Sequence, residues 1–326
     1  MRLHAGLLLC AAVLAGTVPA RAQYYTDVAR IDNEQKLPPL AELLSKAEKG
    51  DMRAQFQAGL AYETGAGDAP KDPEAARHWY QIAADHGSAA AQNNLGLMYA
   101  HGYGVPLDYP QALQWYLRAA VQGYLPAENN AGYMYAFGLG VQRDENAAIR
   151  WYRKAAEHGF AAAQSNLGFM YSLGRGVTQD DTEAAKWYQR AAKQGFGPAE
   201  DNLGYMYTNG RGVPKDLAKA VELFRDAAGK GSAGAASNLG YCYEHGYGVE
   251  ADLATAAHWY RQAAEKGLAE AQYNLGVLYA NGRGVARDLN QAAGWFQKAA
   301  EQGYGPAKTQ LASRPAATER AATGPQ

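Results

Sequence analysis

The sequence predicts an all-α fold, an array of seven helix-turn-helix repeats, on three observations. Gly96, Gly132, Gly168, Gly204, Gly240 and Gly276 stand 36 residues apart. All six tryptophans keep the same interval, Trp79, Trp115, Trp151, Trp187, Trp259 and Trp295, with Leu223 in the one vacant slot. So do seven aspartates, Asp72, Asp108, Asp144, Asp180, Asp216, Asp252 and Asp288. A period of this length marks a repeat architecture, in which each unit is one supersecondary hairpin that buries its apolar face only by stacking on its neighbours. Residues 51–303 hold seven units, six of 36 residues and a first of 37, since Gly59 precedes Gly96 by 37.

Each unit reads as two helices. In the first of a pair, helix A, Ala91, Leu95, Met98 and Tyr99 recur at helical spacing and give an apolar stripe. The second, helix B, opens at an aspartate such as Asp108, a residue that caps free amides and complements the dipole at a helix start. It carries Ala112, Trp115, Tyr116, Ala119 and Ala120 and stops near Gly123, suited to a left-handed C-terminal turn. Large aromatics facing columns of alanine let helices approach closely and interlock. A glycine inside helix A costs about 1 kcal/mol relative to alanine, so Gly96 and its equivalents are expected to serve a close helix contact.

Between the helices lies a Gly-x-Gly, Gly210-Arg211-Gly212 in one unit. Its equivalents are Gly102/Gly104, Gly138/Gly140, Gly174/Gly176, Gly246/Gly248 and Gly282/Gly284. A phosphate-cradling loop needs a strand before it and a helix after, and no strand is predicted. These glycines are therefore read as turns between antiparallel helices, supplying backbone angles closed to other residues.

The first 22 residues stand apart. Arg2, an apolar run from Leu7 to Val18 and the small-x-small triplet Ala20-Arg21-Ala22 form the grammar of a secretory signal peptide, with cleavage expected between Ala22 and Gln23. Cleavage removes two of the 31 basic residues and none of the 32 acidic ones, changing the formal charge from −1 to 29 − 32 = −3. A near-neutral balance argues against nucleic acid as a partner. No later apolar run approaches the length of a membrane span. Only Cys242 remains after cleavage, so an exported chain relies on packing rather than a disulfide. The expected location is the periplasm or beyond it.

The remaining ends complete the array. Residues 23–50 comprise a leader, with Tyr24 and Tyr25, and a lone helix B from Leu40 to Gly50 that caps the N-terminal side. Residues 304–313 form a truncated helix A, with Ala307 and Leu311 in the slots of Ala271 and Leu275. Residues 314–326, small, polar and broken by Pro315, are expected to be disordered.

The recurring pattern Ala-x-x-x-Leu-Gly-x-x-Tyr, Gly-x-Gly-Val, Asp, Ala-x-x-Trp-Tyr-x-x-Ala-Ala and Gly resembles the Sel-one-like repeat (SLR), a relative of the tetratricopeptide repeat, across residues 51–303. The resemblance implies a right-handed α-solenoid that binds other proteins. For an exported chain it implies a periplasmic scaffold or adaptor, or alternatively a secreted protein that meets a host or surface partner. Some cysteine-rich members are linked to β-lactam binding or hydrolysis; this chain lacks their cysteine pairs, and that activity is a distant alternative. No cofactor is implied, and a monomer is expected.

By analogy with the tetratricopeptide groove, binding falls to helix-A slots that vary between units, the slots of Asn93, Leu97, Ala100 and His101. The second slot holds Tyr133, Phe169, Tyr205 and Tyr241 in the four central units. Aromatics offer large contact area for few rotatable bonds, and such a column suits a peptide laid across the concave face. The same column equally suits stacking that stiffens the array. Asp201, Glu244 and His245, with Asn209, lend the C-terminal half a polar, partly acidic character that favours a basic or amphipathic partner. The column Asn94, Asn130, Asn166, Asn202, Asn238 and Asn274 is read as a structural ladder, since buried amides need regular partners.

Catalytic and metal signatures are missing from the pattern. His78, His86, His101, His158, His245 and His258 form no close helical pair, as a zinc site would need. No nucleophile motif occurs, and Cys242 takes a slot otherwise filled by Met98, Met134, Met170 and Met206, which makes it a core filler.

Overall fold

The computed structural model describes residues 37–312, so the signal-peptide, leader and tail segments lie outside the described residues. Among these residues there are sixteen α-helices and no strand. The fold is an all-α solenoid of seven helix pairs. The chain divides into two compact units, a first that ends at Ala191 and a second that begins at Ala192.

The first unit opens with the lone helix α1 (Leu40–Ala47). It continues through the pairs α2 (Met52–Thr64) and α3 (Pro73–Asp85), α4 (Ala89–His101) and α5 (Tyr109–Ala120), and α6 (Leu125–Phe137) and α7 (Glu145–Glu157), then α8 (Ala161–Leu173) and α9 (Asp181–Ala192), of which all but the last residue belongs to this unit. The second unit holds α10 (Gly197–Asn209) and α11 (Leu217–Gly229), α12 (Ala233–His245) and α13 (Leu253–Glu265), α14 (Ala269–Asn281) and α15 (Leu289–Glu301), and ends with α16 (Gly305–Ala312).

All seven periodic aspartates cap helix B. Asp108 accepts from the Gln111 amide at 2.9 Å, Asp144 from Ala147 at 2.9 Å and Asp216 from Lys219 at 3.0 Å, with Asp72, Asp180, Asp252 and Asp288 alike. Such a cap satisfies an orphan amide and contributes about 1 kcal/mol.

The mid-helix glycines face the helix-B aromatic of their own pair. A Cβ on Gly96 would lie 2.5 Å from the Tyr116 ring, and one on Gly204 2.7 Å from Phe224. Tyr116 and Phe224 are fully buried. The missing methyl thus makes room for an aromatic whose burial is worth about 2–3 kcal/mol, more than the glycine costs the helix.

The Gly-x-Gly loop has two separate tasks. Its first glycine ends helix A in the left-handed region, as Gly138 does at φ 67°. Its second leans on the start of the helix B one repeat earlier. A Cβ on Gly140 would sit 2.4 Å from the Pro110 nitrogen, and one on Gly248 2.2 Å from the Leu217 carbonyl oxygen. The loop is a turn and a spacer between repeats.

Candidate protein-binding surface

Helix A carries two polar columns that join successive repeats. In the first unit Asn130 Nδ2 donates to Asn93 Oδ1 at 3.0 Å, and Asn166 Nδ2 to Asn129 Oδ1 at 2.8 Å. In the second unit Asn238 Nδ2 donates to Asp201 Oδ1 at 2.9 Å. Three members of the expected asparagine column, Asn130, Asn166 and Asn238, form ladder rungs, and their acceptors sit in the neighbouring column, 37 residues earlier. Asn93 is therefore spent on the ladder and buried, with 1% of its surface exposed.

Asp201 has the same role with a carboxylate. Ser232 Oγ donates to it at 3.1 Å beside the Asn238 bond, and the residue is half-buried. Burial raises its pKa to about 6, against the lowering effect of its two hydrogen-bond donors. Gly234 leaves room for it, since a Cβ there would lie 2.7 Å from the carboxylate.

The aromatic column does not present one uniform row. In the first unit Tyr133 is 1% exposed, its ring 4.5 Å from that of Phe137, while Phe169 is half-buried against the same core. In the second unit Tyr205 and Tyr241 are half-buried. Tyr241 stacks on His245 at 4.1 Å and meets Tyr247 at 5.8 Å, and burial pushes its phenol up. His245 is exposed, with Nδ1 3.1 Å from the Tyr241 carbonyl oxygen. His101 is likewise exposed, at the end of α4.

Glu244 is not a free acidic contact. It accepts from the Tyr260 hydroxyl at 2.9 Å and pairs with Arg283 at 3.1 Å. Arg283 comes from the Gly-x-Gly loop of the next repeat. Arg175, its counterpart in the first unit, donates to Glu145 at 2.8 Å and to the Ala136 carbonyl at 3.2 Å. The loop arginine is thus a clamp between repeats.

Sequence reasoning left out Phe137 and Leu173, each 38% exposed, which occupy the slot of His101 and His245 in two adjacent repeats. The signal was available: this slot is apolar at 137 and 173 and polar at 101, 209, 245 and 281. Tyr247 is also missing from the expected set, because it lies past the helix end. Cys242 is buried and desolvation pushes its thiol up to about 12, which keeps it protonated. Among the described residues no cluster of three or more His, Cys, Asp or Glu side chains converges as a metal site does, and no helix is long and apolar enough to cross a membrane.

The family model of the Sel1 repeat matches seven consecutive segments, residues 53–88, 89–124, 125–160, 161–196, 197–232, 233–268 and 269–304. Two solved structures resemble the chain over most of its length. One is c5321, a protective antigen of uropathogenic Escherichia coli strains with an SLR fold, 37% identical at a TM-score of 0.70. The match covers 85% of this chain and 59% of that one, so this chain spans less than two thirds of the antigen. The other is a Sel1 repeat protein from Oxalobacter formigenes, 38% identical at a TM-score of 0.68, with 84% of this chain and 79% of that chain covered. The immunity protein PA5088 from Pseudomonas aeruginosa, 19% identical at a TM-score of 0.50 over 71% of this chain and 91% of its own, shares the fold alone. No curated protein matches significantly.

Proposed function

We propose that this chain, which belongs to the Sel1 repeat family, is a periplasmic scaffold that holds a protein or peptide partner on the variable slots of its helix-A faces. Sel1 repeat proteins are in general protein-interaction scaffolds. The observation that carries the finer reading is a division of labour along helix A. Its fixed slots are consumed by the core and the ladder's donors, while some of its variable slots leave aromatic surface open, at Phe137 and Phe169 in the first unit and at Tyr205, Tyr241 and His245 in the second. Rigid aromatics in such positions are the usual energetic anchors of an interface. Tyr133 and Asn93, being buried, support this surface from beneath, and Asp201 and Glu244 tie one repeat to the next. The signal-peptide grammar of residues 1–22 supports the periplasmic placement.

The test is capture from an envelope extract, with crosslinking mass spectrometry to map contacts. A variant carrying Phe169→Ala, Tyr205→Ala and Tyr241→Ala is expected to lose about tenfold or more in retention of the partner. Equal capture by parent and variant would move the site to another face. The description of c5321 as a protective antigen favours a second reading, in which the chain acts at the cell surface or outside it. Cell fractionation separates the two. Neither involves catalysis, and a chromogenic β-lactam is expected to remain intact with the purified protein.

A further inference from the structure

The helix-B faces of the first unit carry a concentration of positive charge that the scaffold reading does not use. Arg118 lies on α5, Arg150, Arg153 and Lys154 on α7, and Lys186 and Arg190 on α9; all six are exposed. The three helices are neighbours through their tryptophans. Trp151 of α7 packs against a core cluster that includes Leu113 and Tyr116 of α5, and Trp187 of α9 shares a core cluster with Ile149 and Ala155 of α7. Two slots, one turn apart, show the contrast with the second unit. They hold His78/Ile82, then Gln114/Arg118, Arg150/Lys154 and Lys186/Arg190 in the first unit, so the charge gathers on α5, α7 and α9, but Glu222/Asp226, His258/Gln262 and Gly294/Lys298 in the second. In a chain of formal charge −1 this is segregation rather than general basicity.

The cations are held in place. Arg118, Lys154 and Arg190 lie over the rings of Trp115, Trp151 and Trp187 at 4.5, 5.5 and 4.4 Å. Arg153 donates to the Tyr171 hydroxyl at 2.9 Å. A charge fixed on an indole loses less rotamer freedom when it meets a partner. The acids on these helix faces are few. Glu183 pairs with Lys186 at 2.5 Å, Glu128 is buried beneath Lys154, and Glu157 is exposed at the end of α7. Beside Arg118, one turn on, stands Val121 at 74% exposure, the most exposed of the large apolar side chains described.

We propose that this face of the first unit docks on an anionic lipid bilayer. A fixed array of cations fits any polyanion; the bare valine beside it decides for lipid. A soluble polyanion offers that valine nothing, whereas the headgroup–acyl boundary takes up an apolar side chain flanked by cations. Contact here would leave the helix-A faces open to a partner, so this inference stands or falls apart from the proposed function.

Flotation with two kinds of vesicle tests it, using the chain from Gln23, which keeps every described helix. One kind is phosphatidylcholine alone; in the other, one lipid in three is phosphatidylglycerol. Binding is expected only to the second and to weaken with salt. Each removed cation should lower partitioning about fivefold, so Arg150→Ser with Lys186→Ser lowers it roughly 25-fold. Lys298→Ser, in the equivalent slot of the second unit, should change it little. Val121→Ser should weaken binding without altering the salt dependence. These side chains are exposed, and an unchanged circular dichroism spectrum will show that the variants fold. Equal binding to both vesicles, or to neither, overturns the proposal. So does retention on heparin that loses the same factors while vesicle binding ignores Val121→Ser, which would assign the face to a soluble polyanion.

Discussion

The rung that joins Asn130 to Asn93 and the rung that joins Asn238 to Asp201 fill the same two slots, one in each unit. The first is neutral throughout; the second ends on a carboxylate with no cation beside it, held by Asn238 and Ser232 alone. The backbone accommodates both, and the difference lies in the energetics. An amide rung is indifferent to pH. A carboxylate rung is not, because desolvation raises the Asp201 pKa to about 6 from an ordinary 3.8. The folded chain therefore binds this proton more tightly than the unfolded chain does. The stabilisation is full below about pH 4 and lost as pH rises through about 6, so at neutral pH the rung is strained by its own charge.

Breaking the charged rung should have the largest effect. Asn238→Leu leaves the Asp201 carboxylate with Ser232 as its one remaining donor, and a lost hydrogen bond to a half-buried charge costs up to about 3 kcal/mol at pH 8. The cost should shrink at pH 4, where the group is neutral. Hydrogen exchange in α10 and α12 measures it as a local opening free energy. The converse change, Asp201→Asn, restores the rung of the first unit. It should protect the same helices by about 2 kcal/mol at pH 8 and abolish the slope of protection between pH 4 and 6. A slope that survives Asp201→Asn would place the titrating group elsewhere. Asn130→Leu breaks the neutral rung and strands Asn93 Oδ1; the expected loss in α4 and α6 is about 1–2 kcal/mol, the same at pH 4 and pH 8.

How much of this could be read beforehand follows from where each contact's partner lies. The caps at Asp108 and Asp144 and the close approach of Gly96 depend on residues within one hairpin, so the period exposed them. The ladder was legible as a ladder, because Asn94 and its equivalents repeat. Its acceptors were not: Asn93 and Asp201 looked like variable groove residues, since helical spacing fixes the face of one helix but not what the next repeat brings to it. The partner of Glu244 is hidden for the same reason, its charge being met by Arg283 from the following loop. Tyr133 shares a slot with Phe169, Tyr205 and Tyr241 yet is buried, in a repeat that carries the bulky Phe137 one turn on. Slot variation finds surface candidates; only the packing between repeats says which of them remain at the surface.

A second seam sets the same contrast at a smaller scale. Gln55, Gln92, Gln164 and Gln272 each donate Nε2 to the carbonyl of Ala47, Ala84, Ala156 or Ala264 at the end of the preceding helix B, at 3.0–3.1 Å. In that slot α6 has Glu128, which cannot donate. Lys154 fills the gap, its Nζ reaching Glu128 at 2.8 Å and the Ala120 carbonyl at 3.3 Å. Unlike Asp201, this buried acid has a cation. Desolvation of the pair then offsets most of its attraction, and Glu128→Gln, which supplies the amide used elsewhere, should change stability by less than about 1 kcal/mol. A gain as large as that of Asp201→Asn would mean that the Lys154 ion pair does not offset the burial of Glu128, and that burial alone, rather than the lack of a cation, sets the cost of a charge in these seams.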